Sequence, residues 1–213
     1  MNLNDAKAET MRKRYSILVT IVGFCLFLTP VIVKADITED ASGICVGLAL
    51  QGSSLETDAT NSVFQVMEHG SGAQLSLGYR FNPVFTLEVA VGGSKHETSD
   101  SAIDASITSV QILGYYRFLP EKSLRPYLKG GIAGYGLLLE SGSVSARMNG
   151  GGIVFGAGVK CFLTPKLSLG IDLTHNMIKY DEAKLSLGQF SYESSIDEHG
   201  RLTTLGLTLG WSF

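Results

Sequence analysis

Residue types able to do chemistry are few in this chain, and most stand alone. The four histidines are His69, His96, His175 and His199. A histidine serves as general base to a nearby serine, or as a metal ligand, only when partners converge on it. His175 is followed by Asn176, in the stretch Thr174-His-Asn-Met177, and no nucleophile sits at a set spacing from it. His96-Glu97 and Glu198-His199 are adjacent pairs, whereas a hard cation needs several oxygens at fixed geometry, so both are expected to be solvated loop residues. No metal and no catalytic residue is expected. Two glycine runs, Gly130-Gly131 with Gly134 and Gly136, and Gly150 to Gly152 with Gly156 and Gly158, do not open a helix after a strand, as a phosphate cradle would. No cofactor is expected either. The remaining candidates are isolated charges inside otherwise uncharged segments: Arg80, Glu88, Arg117, Lys129, Lys160 and Asp172.

Those charges have to be held by something, and composition limits what. The chain has 213 residues, of which 45% are hydrophobic and 17% charged, with 25 glycines and a net charge of −3. Charge is below the ordinary quarter and glycine above its ordinary share of about 7%. Disordered chains are charge-rich, so disorder is excluded. Nothing basic awaits nucleic acid. Three cysteines make no disulfide scaffold. One apolar run is long enough to cross a bilayer as a helix, which excludes a polytopic helical membrane protein.

That run is read as a leader. Met11-Arg-Lys-Arg14 is cationic, Ile17 to Val33 is apolar, and Val33-Lys-Ala35 ends in small or branched residues. The pattern predicts an exported chain cleaved after Ala35, with Met11 as an alternative start. Phe24 before Cys25 does not suit a lipoprotein. Residues 36–213 are then one domain.

In that domain the period is two. Eight alternating segments are predicted as strands at 43–52, 71–81, 85–97, 105–118, 126–140, 150–163, 166–179 and 201–213. In the last, Leu205, Leu207, Leu209, Trp211 and Phe213 alternate with Thr204, Gly206, Thr208, Gly210 and Ser212. In the fifth the phase is ambiguous, because glycine falls on both faces. A soluble β-sandwich or a lipocalin-like barrel would also alternate. Three features favour a transmembrane barrel. Links after even strands are short (82–84, 119–125, 164–165), while those after odd strands are longer (53–70, 98–104, 141–149, 180–200). Tyr79, Phe81, Phe85, Tyr116, Phe118, Trp211 and Phe213 collect on the apolar face at the short-turn ends, as an interfacial girdle would. The six isolated charges share the opposite face with Gly78, Gly92, Gly158 and Gly170, and inside a barrel they are expected to pair, since a lone buried charge is costly. Cys45 and Cys161 fall on opposite faces of non-neighbouring strands, so no disulfide is expected.

The run Leu207-Thr-Leu-Gly-Trp211-Ser-Phe213 resembles the signal read by the barrel-assembly machinery, and Tyr115-Tyr-Arg-Phe118 followed by Arg125-Pro-Tyr-Leu-Lys-Gly-Gly-Ile-Ala-Gly-Tyr135 is similar to the matching stretch of small outer-membrane barrels. That superfamily covers the OmpA-like transmembrane, OmpW-like and opacity-type porin families. The resemblance implies an all-β, eight-stranded antiparallel up-and-down barrel in the outer membrane of a diderm bacterium, with both termini periplasmic. Its partners would be outer-membrane lipid, lipopolysaccharide and the assembly machinery, with Leu207, Leu209, Trp211 and Phe213 as signal and girdle. The role implied is structural or a narrow conduit, since eight strands enclose an interior that side chains nearly fill. OmpW-like passage of small hydrophobic solutes and loop-mediated adhesion are the alternatives. Lipid A deacylases share this size, but 174–177 lacks their His-x-Ser-Asn pattern, so no enzyme is expected.

Overall fold

The computed structural model describes residues 42–57, 67–98, 103–142, 144–187 and 190–213. The expected leader at 1–35, with Met11 and Cys25, lies outside the described residues. Eight strands follow one another: β1 (Gly43–Thr57), β2 (Met67–Arg80), β3 (Phe85–Thr98), β4 (Asp104–Arg117), β5 (Leu124–Ser141), β6 (Val144–Phe162), β7 (Leu167–Leu187) and β8 (Phe190–Ser212). Each is antiparallel to the next, and β1 closes the ring on β8 from Cys45 opposite Ser212 to Thr57 opposite Gly200. Closure leaves no unpaired edge, a condition for strands that cross lipid.

Sequence dictates which face is which. Ile44, Val46, Leu48 and Leu50 of β1, Leu87, Val89 and Val91 of β3, and Leu205, Leu207, Leu209 and Trp211 of β8 all point outward and are exposed. Their neighbours point into the lumen. An apolar belt of this size facing water would be untenable for a soluble monomer, and the two soluble alternatives, which would bury it, are excluded. The aromatic residues gather at the short-turn end as ring pairs: Tyr79–Phe81 and Tyr116–Phe118 at 5.1 Å, and Trp211–Phe213 at 6.5 Å.

Short turns are built by side chains that stand in for backbone acceptors. Asn82 Oδ1 accepts from the amides of Val84 (2.9 Å) and Phe85 (2.7 Å). Thr164 Oγ1 accepts from those of Lys166 (3.3 Å) and Leu167 (3.0 Å).

The long-link end departs from expectation. Residues 180–200, expected as a loop, continue β7 and β8 as a paired hairpin up to Leu187 opposite Phe190. Likewise β6 starts at Val144, inside the expected 141–149 loop. About 9–11 residues cross a bilayer at a tilt, and β7 and β8 have 21 and 23. Their far ends exceed the length a crossing needs, and both faces there are largely exposed. No medium there selects one face as apolar, so the pattern fades while backbone pairing goes on. Ion pairs Lys184–Glu193 (2.5 Å) and Lys179–Asp197 (3.2 Å) decorate this hairpin.

Candidate functional site

Inward residues of the short-turn half converge on one polar cluster. The carboxylate of Asp172 (β7) accepts from Lys129 Nζ at 2.7 Å, Tyr127 OH at 3.1 Å (both β5) and Thr174 Oγ1 at 3.0 Å. β5 and β7 are not neighbours, since β6 lies between them. The reach is possible because β6 has Gly156 and Gly158 there. A Cβ on Gly156 would stand 3.1 Å from Lys129 Cε, and one on Gly158 would fall 2.5 Å from Tyr127 OH. The two glycines form a corridor through which both side chains pass.

Glu88 (β3) is held by Tyr115 OH (β4) at 2.9 Å. Lys160 (β6) lies over the rings of Tyr115 and Tyr127 at 5.2 and 5.6 Å, a cation–π arrangement. Arg117 (β4) is buried with its Nη1 unpartnered. Neither Arg117 nor Lys160 forms an ion pair among the described residues, whereas Lys129 and Asp172 pair directly. Arg80 (β2) is fully buried and donates to Ser212 Oγ at 3.4 Å. A cavity of about 40 Å³ opens between Thr86, Glu88, Arg117, Lys129, Lys160 and Asp172.

Arg125 belongs to the same end and was not among the candidates. Its guanidinium stacks 4.1 Å from the Phe162 ring, and its Nε donates to Lys122 O at 2.7 Å. The stretch 119–125 reads as a turn, yet β5 begins at Leu124. The parity Arg125, Tyr127, Lys129 was the available signal.

Beyond this cluster the lumen turns apolar. Ile107, Leu137, Ile178, Tyr180 and Leu202 point inward and are buried together. Charge thus occupies one half of the lumen, and hydrocarbon much of the other. Between them lie amides and hydroxyls, with Gln51 hydrogen-bonded to Gln74 and Tyr135 OH donating to Asn176 Oδ1 at 2.8 Å. β5 settles its ambiguous phase with Leu137 and Leu139 inside and Leu128 and Ile132 outside.

A model of the outer membrane protein beta-barrel domain matches residues 24–213. The chain belongs to this family. As an outer-membrane barrel it is similar in fold to Neisserial surface protein A (NspA), with 19% identity, covering 82% of this chain and 100% of that one at a TM-score of 0.61. OprG from Pseudomonas aeruginosa aligns at 12% identity over 82% and 97% of the two chains, TM-score 0.56. Ail, the attachment invasion locus protein of Yersinia pestis, aligns at 17% over 83% and 100%, TM-score 0.50. No curated protein matches the sequence.

Other chemistry-bearing residues of this outer-membrane barrel lie apart. His96, expected in solvent, is buried in the lumen beside Ser94 Oγ (3.0 Å) and Ser53 Oγ (3.4 Å). His96 lies within the predicted strand 85–97 on the inward parity of Glu88, and β3 keeps that parity to its end at Thr98. His175 faces outward, 3.0 Å from Thr203 Oγ1 and with its ring 5.1 Å from Phe155. Cys45 and Cys161 are free thiols. Among the described residues no group of three or more His, Cys, Asp or Glu could hold a metal ion.

Proposed function

We propose that this protein is a structural, plugged barrel of the outer membrane with no catalytic role, its short-turn end in the periplasm and its β7–β8 hairpin at the cell surface. The observation that carries the reading is the apolar half of the lumen, where Ile107, Leu137, Ile178 and Tyr180 are each no more than 2% exposed. Protein interiors packed this way leave no continuous water path. The residues 1–35 act as a cleaved leader, and the outward side chains Leu207, Leu209, Trp211 and Phe213 are what the assembly machinery engages. Planar-bilayer recording with the purified protein tests the plug. Silence is expected, and steady stepwise conductance would establish a narrow conduit instead. OmpW-like passage of apolar solutes finds no support in an apolar interior that is already filled.

A surface-recognition role is the second reading. It is favoured by the hairpin, where Phe190 is 81% and Tyr192 70% exposed, and Ail, a structural neighbour, is an attachment protein by name. Replacing 180–200 by a short turn and measuring adhesion of expressing cells separates the two roles, because the plug leaves adhesion unchanged and recognition loses it.

A further inference from the structure

The polar half of the lumen holds more positive than negative charge. Around the cavity stand three cations, Arg117, Lys129 and Lys160, and two carboxylates, Glu88 and Asp172. Lys129 and Asp172 neutralise each other at 2.7 Å. Arg117 and Lys160 then face Glu88 alone, without touching it as an ion pair. Around the cavity one positive charge is left over, in a lumen where uncompensated charge is strongly unfavourable. Two further observations locate where its counterion belongs. Arg117 is 4% exposed and its buried Nη1 has no partner, and Thr86 is 1% exposed with a buried, unpartnered Oγ1. Both line the same cavity. An Nη–H and a hydroxyl hydrogen are donors with no acceptor supplied by the protein.

We propose that this cavity is a binding site for one monovalent anion of halide size, chloride under cellular conditions. Charge sets the valence, since a single negative charge balances the excess. Volume sets the size: about 40 Å³ of space open to water centres holds about three waters, or a halide with a water or two. The donors set the sign, because Arg117 Nη1 and Thr86 Oγ1 supply hydrogens and the ammonium of Lys160 adds charge nearby. The bound ion would complete the network at the end of the barrel that the apolar plug leaves open.

The test is chloride-35 NMR linewidth on the folded chain in zwitterionic detergent, titrated with chloride against a gluconate background of equal ionic strength. Excess broadening that saturates and is displaced by bromide is expected. Arg117→Met should weaken the apparent affinity at least tenfold and Thr86→Val several-fold, with folding checked by heat-modifiable gel mobility. If Arg117→Met does not fold, Lys160→Met serves, since Lys160 holds no ion pair that its removal would break. Bromide-soaked crystals should then show an anomalous peak within hydrogen-bond distance of Arg117 Nη1. Broadening no greater than that of empty detergent, broadening unchanged in the folded variants, or water alone in the cavity would overturn the proposal.

Discussion

Substituting Asp172→Asn removes one charge and little else, which makes it the sharpest probe of the interior. The amide keeps the oxygen that accepts from Thr174 Oγ1 at 3.0 Å, and its NH2 takes the place of the oxygen 3.1 Å from Tyr127 OH, whose hydroxyl can turn to accept from it. What it loses is the counter-charge of Lys129, whose side chain is 7% exposed. Removing one partner of a buried pair costs about 3–5 kcal/mol, mostly for the charge left behind. The adjoining cavity lets water reach the ammonium, so the low end applies, about 3 kcal/mol. Adding Lys129→Met takes away the orphaned charge and replaces it with an apolar stem, and the double variant should return to within about 1 kcal/mol of the native barrel. Trp211 is the single tryptophan and sits in the girdle, so its fluorescence reports urea unfolding from lipid vesicles without labels. The midpoint should fall in Asp172→Asn and recover in the double variant at constant slope. A double variant as unstable as the single one would refute the electrostatic reasoning, because the loss would then come from packing.

Three further perturbations probe the glycine corridor, the lipid belt and the hairpin. Gly158→Ala puts a methyl group 2.5 Å from Tyr127 OH and 2.6 Å from Ile171 O, so a loss of about 1–3 kcal/mol in the same unfolding assay is expected; Gly134→Ala, with nothing within 4 Å, should be neutral or slightly stabilising. Leu207→Arg on the outward face should cost about 2–4 kcal/mol if Leu207 lies near the bilayer midplane, and an unchanged midpoint would place this residue outside the lipid. In the hairpin, hydrogen bonding and charge from Lys184 hold the Glu193 carboxyl below its usual range. A depressed folded-state value means the pair contributes above the carboxyl's unfolded range and is lost as pH falls through it. Lys184→Gln should return the Glu193 titration, read by NMR, to its ordinary range and leave the unfolding midpoint unmoved, since the pair is solvent-screened.

How far the sequence speaks depends on what each face meets. Outward residues meet one medium, lipid, along the whole crossing, so Leu205, Leu207 and Leu209 repeat strictly and all eight strands are legible from alternation. Turn chemistry is equally local: Asn82-Pro83 and Thr164-Pro165 mark their turns without tertiary help. Pairing inside the lumen is not local. Lys129 finds Asp172 across an intervening strand, and only the side chains missing at Gly156 and Gly158 permit it. The inward face of Arg80, Glu88 and Asp172 follows from parity, whereas their partners depend on barrel radius and strand stagger, which hydropathy does not encode. The far ends of β7 and β8 illustrate the opposite limit, where strands persist by backbone pairing after the two-medium contrast has gone.

The change of character within the lumen has a physical requirement of its own. Where a charged cluster abuts a hydrocarbon one, the residues at the joint must satisfy both. Gln51, Gln74, Tyr135 and Asn176 lie at that joint, and inside the charged cluster Tyr115 and Tyr127 play the same double part. Their rings lie 5.4 Å apart and are part of the apolar cluster, while their hydroxyls donate to Glu88 and Asp172. Their faces also carry the ammonium of Lys160, which has no carboxylate of its own. A phenol is suited to this position because its body is apolar, its tip is a donor and its face attracts cations. Phenylalanine at 115 would take from Glu88 the hydroxyl that holds it, and at 127 would remove one of the three donors on Asp172. The interior is therefore not a polar core that happens to contain leucines. It is two incompatible fillings with amides and hydroxyls between them and two tyrosines inside the charged part, which is why neither hydropathy nor charge parity alone describes it.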